Sequence, residues 1–236
     1  MTASVAAPPR RRRSAVRAFA NVLIVVGALL LADAATTLLW QEPLSALYAH
    51  FQQSRLNGQL DRIESQAPPP LARRVIAHLP DVHRRLAFAA RLLARRTHPG
   101  DPIGRLRIPR IGVSAIVVEG TATSDLSKGP GHYPATPLPG EPGTVGVAGH
   151  RTTYGAWFRH VDRLRPGDSI DLTMPYGRFT YRVERTRIVA PTALWVTRRV
   201  AYDRIILSAC HPLYSAAQRI VVFARLTSEV GRGAFA

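Results

Sequence analysis

The chain opens on polar and basic residues and then turns apolar, with only Asn21, Asp33, Thr36 and Thr37 interrupting the run from about Ala18 to Trp40. A stretch of about 20 such residues is what an α-helix needs to cross a hydrocarbon core. A carboxylate costs about 2.5–3.5 kcal/mol at the centre of a membrane helix and less towards its ends, so the off-centre Asp33 leaves insertion favourable. The pattern predicts one transmembrane helix over residues 18–40. A cleaved signal peptide competes, because "ADAA" at Ala32–Ala35 supplies the small residues that cleavage needs. The apolar character continues through "TTLLW", which favours an uncleaved anchor.

From Gln41 to about Pro99 the spacing stays helical. Leu44, Leu47, Tyr48 and Phe51 fall on one side of a predicted amphipathic helix. "QAPPP" ends it, since consecutive prolines remove amide donors and favour extended backbone. "LARRVIAHLPDVHRRLAFAARLLARR" predicts a second helical segment, whose Leu86, Phe88, Leu92 and Leu93 are candidates to pack on a neighbouring body. The Pro/Gly break "THPGDPIG", Thr97 to Gly104, marks a domain boundary.

Beyond the break the period shortens to two. "GRLRIPRIGVSAIVVEG" predicts two short strands around Pro109 and Gly112, and "GTVGVAGH" a third that ends in His150. Ile170, Leu172 and Met174 alternate, "PYG" turns, and Phe179, Tyr181 and Val183 alternate back as a hairpin. "DRIILSAC" and "QRIVVFARL" are two more strands separated by "HPLYSAA", and a short helical turn is expected near "GAWFRHVDRL". The fold class is all-β, a barrel or sandwich. The organisation reads as a basic cytoplasmic N-terminus (1–17), a transmembrane helix (18–40), a helical basic stalk (41–103), the β body (104–228) and a tail (229–236).

Charge sharpens this picture. Thirty-two Lys and Arg against 15 Asp and Glu leave a net charge of +17, which suits nucleic acid, an anionic membrane or another polyanion. Arg10 to Arg13 and Arg17 abut the apolar run directly, so a membrane role displaces a DNA-binding arm. The positive-inside rule puts the N-terminus in the cytoplasm and the body outside. The arginines of the stalk either face anionic headgroups or wall polymers, at about 1 kcal/mol each, or form a solvated face with no specific partner.

Cys210 is the only cysteine. Outside the cell an unpaired cysteine is an intermolecular partner, a reactive thiol, or a small buried hydrophobe. A nucleophilic thiol needs a general acid/base and a donor or cation for the oxyanion. Arg219, on the next predicted strand, meets the second need and would raise the thiolate fraction. His132, His150, His160 and His211 are the candidate bases. His211 adjoins Cys210, but consecutive strand residues face opposite ways. His150, at the end of its own strand after a glycine, is the better candidate and His132 the second.

"GPGHYPATPLPGEPGTVGVAGHRTTYGAWF" together with "ILSACHPLYSAAQRIVVFARL" resembles the sortase family, and the His-Arg-Thr-Thr-Tyr-Gly run with the short Cys-to-Arg spacing is most similar to class E sortases of high-GC Gram-positive bacteria. The likeness spans about Gly104 to Leu226. It implies a closed β-barrel of about eight strands with short helices, behind one transmembrane helix and a stalk. It also implies catalytic roles for His150, Cys210 and Arg219.

The implied reaction is transpeptidation. A C-terminal sorting signal of the Leu-Pro-x-Thr-Gly type, here Leu-Ala-x-Thr-Gly by likeness to class E, is cleaved after Thr through a thioacyl enzyme and passed to an amine of peptidoglycan. The implied partners are secreted proteins with such a signal, a peptidoglycan precursor or crossbridge amine, and the membrane, with no nucleic acid. No cofactor or metal is expected. Some family members bind calcium near the strand hairpin, but Tyr176–Ala201 offers only Glu184 as a carboxylate.

Two departures stand out: Ala209 replaces the family's usual Thr before the cysteine, and Trp157 stands where a smaller residue or Pro is expected. These bear on substrate preference more than on activity. An L,D-transpeptidase is a rival, but its Ser-His-Gly-Cys arrangement is absent. The alternative is a non-catalytic or impaired sortase-like protein that is tethered to the membrane and binds the wall.

Overall fold

The computed structural model describes residues 10–39 and 43–236, with side chains over 16–35 and 45–236. Most of the basic N-terminus and Trp40, the far end of the expected span, lie outside the described residues. The chain divides into two compact units, Met1–Pro43 and Leu44–Ala236.

The first unit carries α1 (Arg10–Leu39), a single helix in which Val16–Ala35 are long and apolar enough to cross a membrane. Leu23, Ile24, Leu30 and Leu31 are all more than half exposed. Asp33 falls in the last turn of that stretch. The helix runs without a break through Ala32–Ala35.

The second unit begins with α2 (Pro43–Ser65), α3 (Pro70–His78) and α4 (Val82–Ala94). The strands are β1 (Pro102–Ile108), β2 (Val113–Glu119), β3 (Gly131–His132), β4 (Thr144–Ala148), β5 (Ser169–Met174), β6 (Gly177–Val189), β7 (Arg204–His211) and β8 (Gln218–Gly231), with a one-turn helix α5 (Thr123–Leu126) between β2 and β3. They close into a barrel in the order β1-β2-β3-β4-β7-β8-β6-β5. The β2–β3 and β4–β7 pairs are parallel and the others antiparallel. The closed eight-strand barrel agrees with the expected fold class, and the expected helical turn appears as a 3-10 turn at Val161–Arg163.

Period-two alternation builds the core. Ile170, Leu172 and Met174 of β5 point inwards against Phe179, Tyr181 and Val183 of β6, and Ile205, Leu207, Ile220 and Val222 join them. The alternate residues of β7 and β8, Ile206, Val221 and Phe223, point outwards and are covered by Val196 and by Trp195, whose ring stacks on Phe223 at 6.1 Å.

The helices pack on this barrel. Leu56 and Leu60 of α2 bury against Ile116 and Val118 on the outer face of β2, each contributing about 1.5–3 kcal/mol. The Gln53 amide accepts from Ile116 N at 2.6 Å and donates to the carbonyls of Ile116 and Lys128 at 3.1 and 2.9 Å. Arg105 of β1 pairs with Asp61 at 2.6 Å and also with Glu64.

The packed stripe of α2 is therefore Ala49, Leu56 and Leu60, whereas Leu47, Tyr48 and Phe51 are exposed and the Leu44 side chain lies outside the described residues. The expected second helical segment is divided at Pro80, which disfavours helix at Leu79 and removes a donor. Asp81 then caps α4 by accepting from Arg84 N at 2.8 Å. Leu86 enters the barrel core and Leu93 packs at its edge.

Candidate active site

Register decides which side chains meet. Cys210 of β7 stands directly opposite Arg219 of β8, and opposed residues of an antiparallel pair share a face. Ala209 and Ile220 next to them point into the core, so Cys210 and Arg219 lie on the outer face. Cys210 is a partly exposed free thiol. Arg219 is pinned at the strand end by Nη1, which donates to the carbonyls of Ala216 and Gln218, both at 3.0 Å.

On the other side of β7 runs β4, parallel, with Ala148 opposite Ser208. The pairing extends one residue further, because Gly149 N donates to the Ser208 carbonyl at 3.0 Å. Continuing that register brings His150 level with Cys210. The alternation is also right: Val147 points into the core, Gly149 faces the same way, and His150 turns outwards with Cys210 and Arg219. A side chain at 149 would strike the Phe158 ring, 2.6–2.9 Å from the position of its Cβ, so glycine is required for this approach.

His150 is half-buried. Its backbone carbonyl accepts from Phe158 N at 2.9 Å, and its ring lies 5.6 Å from that of Tyr154. Nε2 is buried with no hydrogen-bond partner among the described residues. Burial lowers the imidazole's proton affinity from the ordinary value of 6.5.

The other histidines have different surroundings. His132 is buried and saturated, with Nδ1 at 2.9 Å from Glu119 and Nε2 at 3.1–3.2 Å from Thr136 Oγ1 and the Pro137 carbonyl. His160 follows the loop and is depressed by burial, with further contributions from Arg163 and Arg159. His211 meets Arg151, with Nδ1 at 3.3 Å from Nη1.

Arg151 escaped the sequence reading. It is only 3% exposed. Its guanidinium donates to the Arg159 carbonyl at 3.1 and 3.3 Å and to the Cys210 carbonyl at 3.4 Å, and pairs with Asp162 at 3.0 Å. One side chain thus ties the loop after His150 to the strand end that carries Cys210. The only signal in the sequence is its adjacency to His150.

The same loop touches α2. Tyr154 N donates to Ser45 Oγ at 3.1 Å, the rings of Tyr48 and Tyr154 meet edge to face at 6.2 Å, and His50 lies against Trp157 at 6.4 Å. Tyr154 and Ala156 hold positive φ of 49° and 44°, a strained conformation for residues with a Cβ. Trp157 folds back over Gly155, where a Cβ would meet the indole at 3.0–3.1 Å. Cys210 and Arg219 therefore face each other at the ends of β7 and β8, and His150, two residues beyond the end of β4, falls beside them on the outer face.

Comparison with known proteins fits this geometry. A family model described as Sortase domain matches residues 106–227. The chain belongs to the sortase family. Among characterised sortases, it is 35% identical over 131 residues to sortase D of Bacillus subtilis, covering 53% of this chain and 64% of that one. It is 29% identical over 147 residues to sortase SrtE1 of Streptomyces coelicolor, covering 56% and 42%. The chain thus spans less than two thirds of the length of either relative.

Among solved sortases, sortase E from Streptomyces avermitilis is 34% identical with a TM-score of 0.52, covering 59% of this chain and 99% of that one. Sortase E1 from Streptomyces coelicolor, solved with a tripeptide in the active site, is 27% identical with a TM-score of 0.54, covering 58% and 94%. The likeness is to class E sortases, with a class D relative beside them.

Proposed function

We propose that this protein is a membrane-anchored cysteine transpeptidase that cleaves a Leu-Pro-x-Thr-Gly-like sorting signal, by likeness to class E a Leu-Ala-x-Thr-Gly signal, after Thr. The observation that carries the reading is the row His150, Cys210, Arg219, aligned by the β4–β7 and β7–β8 registers on one face of the barrel.

Cys210 gives its proton to His150 as Sγ attacks the threonine carbonyl, so the S–H bond breaks and an S–C bond forms. Arg219 donates hydrogen bonds to the oxyanion that develops. The C–N bond to glycine breaks as His150 gives its proton to the leaving amine. An amine of peptidoglycan then loses a proton to His150 and attacks the thioester, so that a new amide forms and the C–S bond breaks. Burial favours the neutral imidazole of His150, which suits taking the Cys210 proton at the attack and handing it on to the leaving amine.

The tripeptide in the active site of the Streptomyces coelicolor relative supports a peptide substrate here. In the same reading α1 is an uncleaved anchor with its basic end in the cytoplasm, which places the barrel outside the cell beside its wall acceptor. The test uses the purified full chain with Leu-Ala-x-Thr-Gly and Leu-Pro-x-Thr-Gly peptides and a small amine. The expected product is the threonine-terminated fragment joined to the amine, absent with Cys210→Ala. A folded, reduced wild type that makes no product from either peptide would favour a sortase-like protein without this chemistry.

A further inference from the structure

The helices α3 and α4 do not close on each other. They leave a groove of about 790 Å³ between them and the barrel, within the size range of pockets that hold small ligands. Leu71 and Val75 of α3, with Leu79 just past its end, line one wall, and Phe88 and Leu92 of α4 the other. α4 already buries its opposite face, Leu86, Ala89 and Ala90, in the barrel. Leu71 remains 74% exposed and Val75 37%, so an apolar surface is presented outwards.

The rim is basic. Arg84, Arg91, Arg95 and Arg96 border the groove. From Pro70 to Arg96 the chain carries seven arginines and one acid, Asp81. Arg84 pairs with Asp81 at 3.4 Å and Arg91 with Glu141 at 3.7 Å, while Arg95 and Arg96 have no ion-pair partner among the described residues. The carboxylates of Asp203 and Glu229 also line the groove, and Glu229 is paired with His83. An apolar slot with a cationic rim is complementary to an amphiphile whose head is anionic.

The geometry points to an anionic phospholipid as the occupant, its acyl chain in the groove between α3 and α4 and its phosphate among Arg91, Arg95 and Arg96. This rests on reading α1 as a membrane anchor, since the tether is what keeps these helices at high effective concentration beside a bilayer. Each arginine near an anionic leaflet adds to the attraction.

The test reconstitutes the full chain into nanodiscs of phosphatidylcholine, with and without phosphatidylglycerol, and follows hydrogen exchange over residues 70–96. Co-elution with discs of either composition reports the anchor independently, and failure to co-elute refutes the anchor and with it the tethered occupant. The expected result is exchange about tenfold slower in the phosphatidylglycerol discs. The protection should be lost in an Arg91→Gln/Arg95→Gln/Arg96→Gln variant, while turnover of a soluble peptide is unchanged. Equal exchange in both discs, or protection that survives in the variant, overturns the proposal. Equal protection in phosphatidylcholine discs from an added glycerol-phosphate polymer overturns it too, by assigning the arginines to a soluble polyanion.

Discussion

Cys210, Arg219 and His150 reach one row through backbone register, so substitutions there should separate chemistry from folding. Cys210→Ala changes a partly exposed side chain at a strand end. Turnover should vanish while the unfolding midpoint stays within about 0.5 kcal/mol of the wild type, as denaturant titration would show. Arg151 should behave oppositely. Removing its buried guanidinium leaves the Arg159 and Cys210 carbonyls unsatisfied, and Arg151→Ala should destabilise the barrel by about 1–3 kcal/mol in the same titration.

His150 gives a pH signature. Its proton affinity is depressed by burial, so just below pH 6.5 the unfolded chain binds a proton that the folded chain does not. Stability therefore rises with pH through that window and is lost on acidification. His160 is depressed as well, so the informative quantity is the difference between the wild type and His150→Gln. The variant should lose less stability than the wild type when unfolding midpoints are compared between about pH 5 and pH 8.

At this scale the sequence was informative where chemistry is scarce. A lone cysteine, an arginine across a short loop and a histidine closing a small-residue strand could be picked out. Arg151 could not, because nothing in composition distinguishes a buried arginine from the many exposed ones. His132 was open as a second base, and only its three contacts, to Glu119, Thr136 and Pro137, show it to be occupied structurally.

Among the elements, α2 does most to change the initial picture. The Gln53 amide bonds to two segments of the barrel, around Ile116 and Lys128, and Gln53→Ala should cost about 1–3 kcal/mol by leaving Ile116 N without its acceptor. Removing α2 altogether should lower turnover as well as stability, because Ser45, Tyr48 and His50 brace the loop that follows His150. Comparing peptide turnover by chains that start at Leu44 and at Pro68 would test this.

Period-two strands were legible because alternation and burial coincide along β5 and β6. The orientation of α2 was not. Helical spacing singled out Leu47, Tyr48 and Phe51, yet Gln53 and the small Ala49 lie on the side that faces the barrel, where Leu56 and Leu60 anchor it. β3, with only Gly131 and His132, is too short to leave a pattern.

For the whole molecule, the two compact units differ in where their apolar residues lie. The exposed apolar surface of Val16–Ala35 suits lipid, while the inward-facing apolar residues of the strands are buried in the barrel core. The full chain should stay with membranes through high-salt and alkaline washes, and a chain starting at Leu44 should be soluble. Release of the full-length gene product with a new N-terminus near Ala35 would instead mark a cleaved signal.

In the proposed reaction Cys210 forms a thioester with a peptide cleaved after threonine. Intact-mass measurement of the purified full chain, mixed with a Leu-Ala-x-Thr-Gly peptide, tests it most directly. The expected result is a mass increase equal to the threonine-terminated acyl fragment, located on Cys210, absent in Cys210→Ala and discharged when a small amine is added. A folded, reduced protein that gains no mass with this peptide or with Leu-Pro-x-Thr-Gly, or that gains it without Cys210, would rule out a Cys210 thioester.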